Sequence, residues 1–247
     1  MQSAAGDAGG AIGAAAWAWR EIEGQRLPHM DHAYLGPQFD AAAVGAAIDA
    51  RASEIGAAGC RAESRAGRED DIVRETAAAI ADGAVVGWFQ GRMEWGPRAL
   101  GNRSIVCDPR RADMKEILNR KIKRRESFRP FAPSILREAT AEWFEVDDDV
   151  PFMMQVYPIR AEKRALVPAV THVDGSGRLQ TVTRAANPRY HALIEAFRAA
   201  TGVPMVLNTS FNENEPVVCT PAEALGCFLR TRMDLLVMES WMVRRAT

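Results

Sequence analysis

Apolar positions recur along this chain with two periods, and the switches between them mark out its elements. Ile72, Val73, Thr76, Ala77 and Ile80 fall on one face of a helix that Gly83 would close. Ala84–Gln90 (AVVGWFQ) is a short apolar run that predicts a buried strand. Ser104–Cys107 predicts a second strand, and residues 111–121 a helix with Met114, Ile117 and Leu118 inward. Residues 128–135 read as extended, with Pro130 and Pro133 favouring a sheet edge or a ligand groove. Strands follow at 153–159, 178–182, 204–208 and 234–238, the last read as the final one. Pro188–Ala200 is an amphipathic helix stopped by Gly202, and Thr220-Pro221-Ala222-Glu223 carries the full start signal of another.

The front of the chain is patterned differently. Residues 11–20 predict a helix of small residues after a glycine-rich turn, and residues 40–58 are alanine-rich with Val44, Ile48 and Ile55 at helical spacing. Residues 57–71 read as a linker. Strands and helices alternate without a strict βαβ rhythm, so the expected fold class is mixed α/β.

Composition narrows the choice of function. The chain has 247 residues, 47% hydrophobic and 26% charged, as in a soluble globular protein. A net charge of -1 argues against a protein that coats nucleic acid. Four cysteines show neither CxxC spacing nor the density of a disulfide scaffold, and no apolar run reaches membrane-spanning length. The expected location is cytoplasmic, with no membrane partner.

Charge is not evenly spread. From Arg92 to Arg129 the chain carries 12 Lys/Arg against 5 Asp/Glu, whereas the whole carries 31 against 32. Many of these cations sit beside Gly or Pro, in Gly91-Arg92, Gly96-Pro97-Arg98, Gly101-Asn102-Arg103 and Arg129-Pro130. Arginines on such turns can offer bidentate donors to phosphate or carboxylate oxygens. An anion pocket, a plain basic surface and a nucleic-acid patch all fit this pattern, in that order. Asn208-Thr209-Ser210-Phe211-Asn212, just past a buried strand, would complete a pocket with neutral donors, and Arg178 follows a glycine-rich turn. Glu94, Asp108 and Asp174 are carboxylates able to hold Mg2+, with nothing in the spacing to select one. His29 and His32 read as surface-loop residues, and no Ser-His-Asp set is visible.

Taken together, GRMEWGPRALGNRS, KRRESFRPFAPS, VDGSGRLQTV and MVLNTSFNENEPVV resemble the C-terminal half of the O-carbamoyltransferases of nodulation-factor and antibiotic biosynthesis. The resemblance covers most of residues 70–240, with the motifs in the right order. It implies a YrdC-like twisted mixed sheet flanked by helices. It also implies an ATP-dependent enzyme that forms carbamoyladenylate from carbamoyl phosphate and MgATP, for transfer to a hydroxyl of a natural product or sugar. The resemblance makes Lys123, Arg129 and Arg98 the catalytic cations. It gives the binding of ATP and carbamoyl phosphate to Arg178, Asn208, Ser210, Arg92, Arg103 and Asn212. Ser127 and Asn214 depart from the family pattern, where Pro and Gly are usual.

The family also has an N-terminal Kae1-like domain of actin-like ATPase fold, with a metal such as Fe2+ on an HxxxH pair and an Asp. Asp7 matches that Asp, but no HxxxH is present, so no complete metal site is expected. The expected organisation is a Kae1-like remnant over residues 1–40, helix and linker over 41–70, and a YrdC-like domain over 71–247. On this reading the chain is a truncated product, a fragment or half of a split enzyme, with a separate Kae1-like chain as a partner. Trp17 and Trp19 would then be exposed or used in association. The alternative is a nucleotide-binding remnant without turnover alone; a YrdC-like role on tRNA ranks below both.

Overall fold

The computed structural model describes residues 2–6, 8–27, 29–123 and 130–246. In chain order its elements are α1 (Gly9–Glu23), α2 (Ala41–Ala50), α3 (Ala52–Ala57), β1 (Cys60–Ser64), α4 (Glu69–Ala81), β2 (Val86–Phe89) and β3 (Arg103–Cys107). There follow α5 (Met114–Leu118), β4 (Ala132–Leu136), α6 (Thr140–Trp143), β5 (Gln155–Pro158) and β6 (Ser176–Val182). The last are α7 (Pro188–Thr201), β7 (Met205–Ser210), α8 (Pro221–Arg230), β8 (Leu235–Met238) and β9 (Trp241–Arg245).

Among the described residues nine strands join one mixed sheet, in the order β1-β9-β8-β2-β3-β7-β4-β6-β5. Only β2–β8 and β4–β6 run parallel in it. Every residue of β2, β3, β4 and β8 is buried, as expected of central strands covered on both faces. Helix α4 packs on α7, and α2 on α8. The expected mixed α/β class is therefore the observed one.

Local chemistry explains the helix ends. The start signal at 220–223 closes into a capping box: Thr220 Oγ1 accepts from the Glu223 N–H at 3.3 Å and Glu223 Oε2 from the Thr220 N–H at 3.1 Å. Asn187 Oδ1 accepts from the Tyr190 N–H at 3.1 Å and caps α7, which Gly202 ends at φ 79°.

Four expectations change. Cys60–Ser64, read as linker, forms the edge strand β1, and β9 follows the strand expected to be last. The alanine-rich stretch is two helices that break at Arg51, although Val44, Ile48 and Ile55 are buried as the spacing predicts. The helix expected over 111–121 shrinks to α5 and then widens into a π turn, Asn119–Lys123, which turns Ile122 and Lys123 inward. Helix α1, by contrast, is as expected: it buries no residue, and Trp17 is 68% exposed.

Candidate active site

The Gly/Pro-rich loop between β2 and β3 is organised by one carboxylate. Glu94 is buried, and its Oε1 accepts from the backbone N–H groups of Leu100 (2.7 Å), Asn102 (2.7 Å) and Arg103 (3.2 Å). Three backbone N–H groups aimed at one oxygen form an anion nest, filled here by the protein's own side chain. Gly101 makes the fold of this loop possible. It sits at φ 107°, and a Cβ there would lie 2.2 Å from the Tyr190 ring.

The ordered loop presents Arg98 to a cavity of about 290 Å3. Arg178 from β6 and Asn208, Thr209 and Ser210 from β7 also line it, with Phe131 and Met153 as apolar wall and, among the described residues, no carboxylate. Three of the expected binding residues, Arg178, Asn208 and Ser210, thus meet the expected catalytic Arg98 around one space. Arg98 Nε is buried without a hydrogen-bond partner.

Behind the cavity lies a polar web. Asn208 Nδ2 donates to Ala99 O (3.0 Å) and Gln180 Oε1 (3.1 Å), and Ser134 Oγ donates to the same Gln180 Oε1 at 2.5 Å. Gln180 Nε2 donates to Leu100 O at 2.9 Å, which makes its Oε1 the acceptor and so fixes which way the Asn208 amide points. Asn208 Oδ1 is left buried and unpartnered. Such an acceptor costs roughly 1–3 kcal/mol until a donor reaches it.

Other expected residues take different roles. Lys123, on the π turn, is not a wall residue; its Nζ donates to Ser210 O (2.6 Å), Asn212 O (2.9 Å) and Asn212 Oδ1 (2.8 Å). It ties down the strand end that supplies Ser210, and Asn212 is part of that tie rather than of the wall. Arg103 is no cavity ligand either. Its guanidinium donates to the carbonyls of Gln90, Gly91, Asn102, Pro37 and Cys219 and lies 3.7 Å from the Phe89 ring centroid. Burial pushes its pKa down to about 10. Arg92 is exposed, donates to Gly36 O at 3.2 Å, and lines a different, more open cavity. Arg129 and Asp7 lie outside the described residues.

The plain basic-surface reading loses several of its cations to ion pairs, in Arg110–Asp108, Arg111–Asp113 and Lys121–Asp234. The three carboxylates considered for Mg2+ are committed as well: Glu94 to the loop, Asp108 to Arg110, and Asp174 to Ser176. Among the described residues no three His, Cys, Asp or Glu side chains converge as a metal site.

Two features escaped the sequence reading. Gln180, one residue of an ordinary strand pattern, proves to be the hub of the web. His172 sits in the turn before β6. Ser176 Oγ donates to Asp174 Oδ1 (2.6 Å), so the 3.2 Å contact from His172 Nδ1 must be the donor to Ser176 Oγ, and this sets the tautomer. Burial lowers the His172 pKa, and the ring stays neutral near pH 7.

Comparison with known proteins gives the family. The chain is 48% identical to the nodulation protein NolNO of Sinorhizobium fredii, over 100% of this chain and 36% of that protein. It is 44% identical to NolO of Bradyrhizobium diazoefficiens, over 99% of this chain and 44% of that one. The 3'-hydroxymethylcephem-O-carbamoyltransferase of Amycolatopsis lactamdurans is 42% identical, over 69% of this chain and 32% of that enzyme. The chain thus spans less than half the length of these curated relatives. Among solved structures, E. coli YciO is similar at a TM-score of 0.41 and 19% identity over 68% of this chain and 77% of that one, a likeness too loose to argue from. Among the described residues no helix is long and apolar enough to cross a membrane. Residues 77–245 match the family model described as Carbamoyltransferase C-terminus, and with relatives this close the chain belongs to the carbamoyltransferase family.

Proposed function

We propose that this chain performs the activating half of an ATP-dependent O-carbamoyl transfer, making carbamoyladenylate from carbamoyl phosphate and ATP. The observation that carries the reading is the cavity where Arg98 and Arg178 meet Asn208 and Ser210, with no carboxylate among the described residues of its wall. In the balanced reaction, water splits carbamoyl phosphate into carbamate and phosphate. A carbamate oxygen then attacks the α-phosphorus of ATP, the bond to the β-phosphate bridging oxygen breaks, and pyrophosphate leaves. Both steps bring anions together, and fixed cations act most strongly where such charge develops.

Arg98 and Arg178 hold phosphoryl oxygens. Asn208 Oδ1, the buried acceptor without a donor, takes an N–H of the carbamoyl group, which separates carbamoyl from acetyl or bicarbonate. Lys123 acts through Ser210, which it fixes. Magnesium enters with ATP. Transfer onto an acceptor hydroxyl falls to a Kae1-like domain, in the same or another polypeptide, which also carries the family's iron-type site. The acceptor is a small molecule with a free hydroxyl, in keeping with the name of the cephem-modifying relative.

The test is carbamoyl-phosphate-dependent release of pyrophosphate from MgATP. Wild type is expected to release it, and Arg98→Ala and Arg178→Ala to lose nearly all activity while staying folded. Release that ignores carbamoyl phosphate, or that survives both substitutions, would remove the proposal. Because the chain spans less than half of its relatives, a second reading stands beside it, in which nucleotide is bound without turnover. ATP binding in calorimetry with no pyrophosphate released selects that reading.

A further inference from the structure

The sheet has two edges, β5 and β1, and they are finished differently. At β5 the chain closes its own edge. The strand ends in Pro158, Phe144 bridges to Ile159, the Glu145 N–H donates to Pro158 O at 3.0 Å, and the Arg160 N–H donates to Trp143 O at 3.0 Å. A proline and an overlying segment are usual ways to blunt an edge. Strand β1 has neither: its sequence is CRAES, and among the described residues it pairs with β9 alone.

The hydrogen bonds to β9 fix which groups of β1 are free. The Arg65 N–H donates to Ser240 O at 2.7 Å and the Ala246 N–H to Gly59 O at 2.9 Å, so the odd-numbered residues of this segment bond to β9. The N–H and C=O groups of Cys60, Ala62 and Ser64 therefore point off the edge. Arg61 and Glu63 stand together on one exposed face of the strand. Across the ladder Arg61 faces a like charge, Arg244, which already holds Glu75 at 2.7 Å. Glu63 holds Arg65 at 2.7 Å, but among the described residues no carboxylate pairs with Arg61.

Laid antiparallel on a second copy, this edge has one register that uses all its free groups. Ala62 meets Ala62 of the second copy, and Cys60 meets Ser64 of the second copy, all in hydrogen-bonded pairs. Arg61 then falls opposite Glu63 on both sides of the two-fold axis. A slip of two residues opposes Arg61 to Arg61 or Glu63 to Glu63. A slip of one sets outward-facing groups against residues whose own groups are bonded to β9.

We propose that β1 is a homodimerisation edge, through which the sheets of two copies join into one. Charge complementarity of the strand with itself selects a second copy as the occupant. The cavity of Arg98 and Arg178 lies on β6 and β7, toward the other end of the strand order, so the inference is independent of what that cavity binds.

Sedimentation velocity over a range of concentrations tests it, with circular dichroism to follow the fold of each variant. Wild type should show a monomer–dimer equilibrium that depends on concentration, since so short a contact makes a weak interface. The Ala62 N–H points off the edge, so Ala62→Pro removes a pairing donor without breaking a bond to β9 and should leave a folded monomer. Arg61→Glu and Glu63→Arg each place like charges opposite one another and should weaken the dimer by about tenfold or more. Combining the two reversals restores opposite charges and should restore the dimer, a rescue that damage to the fold would not give. Wild type that stays monomeric up to its solubility limit overturns the proposal. So does a dimer that survives Ala62→Pro and both single reversals, which would move the contact elsewhere, as to the exposed Trp17 and Trp19 of α1.

Discussion

Two arginines five residues apart, Arg98 and Arg103, show how little residue type says about role. Both lie in the same Gly/Pro-rich stretch, yet Arg103 spends its donors on backbone carbonyls while Arg98 lines a cavity with Nε unpartnered. The difference is made by Glu94, which curls the loop so that the first points out and the second in. Removing its carboxylate strips an acceptor from three buried N–H groups. Glu94→Ala should therefore destabilise the fold by about 2–4 kcal/mol, since each buried donor left unmade costs roughly 1–3 kcal/mol and water recovers part of it. Glu94→Gln keeps an acceptor oxygen and should cost about 1 kcal/mol or less. Urea denaturation measures both. Equal losses in the two variants would mean that negative charge, rather than acceptor geometry, holds the loop. Pyrophosphate release should fall with the Ala variant and stay near wild type with Gln.

At the scale of elements, strands with an apolar rhythm were legible and strands without one were not. The central run Val86–Phe89 declares itself by being apolar throughout. By contrast β1 (CRAES) has one buried residue and is held by backbone pairing to β9, which no local pattern records. The same limit applies to the site. The turn chemistry around Arg98, Asn208 and Ser210 was visible, but Gln180 was not, because a hub is defined by partners distant in sequence. Helix α2 also packs on this edge: Gly45 faces Trp241, and a Cβ added there would sit 3.5 Å from the indole, an ordinary contact. Gly45→Ala should then stabilise the protein by about 0.5–1 kcal/mol through helix propensity and a less flexible unfolded chain. A loss of stability on urea denaturation would show that α2 sits closer to β9 than described. At Gly101, the same substitution meets the Tyr190 ring and a left-handed backbone and should prevent normal folding.

For the molecule as a whole, 31 cations and 32 anions nearly cancel, and function depends on where the imbalance is local. Acids pair off much of the basic stretch, yet among the described residues none lines the cavity of Arg98 and Arg178, so an anion entering it gains attraction that the net charge does not foretell. Occupying that cavity must stabilise the fold, because the unfolded chain has no such site. Tripolyphosphate at a hundred times its Kd should add about 2.7 kcal/mol to the unfolding free energy. For a chain of this size that raises the melting temperature by roughly 5–10 °C. Arg98→Ala should abolish the rise yet melt close to wild type without ligand, since Arg98 Nε has no partner to lose. The rise in wild type should also shrink as sodium chloride screens the approach of the anion. A rise that persists in Arg98→Ala would place the anion elsewhere on the surface. A large fall in the unliganded melting temperature would instead make Arg98 a structural residue like Arg103. The two results separate a site from a scaffold, which a loss of activity alone does not.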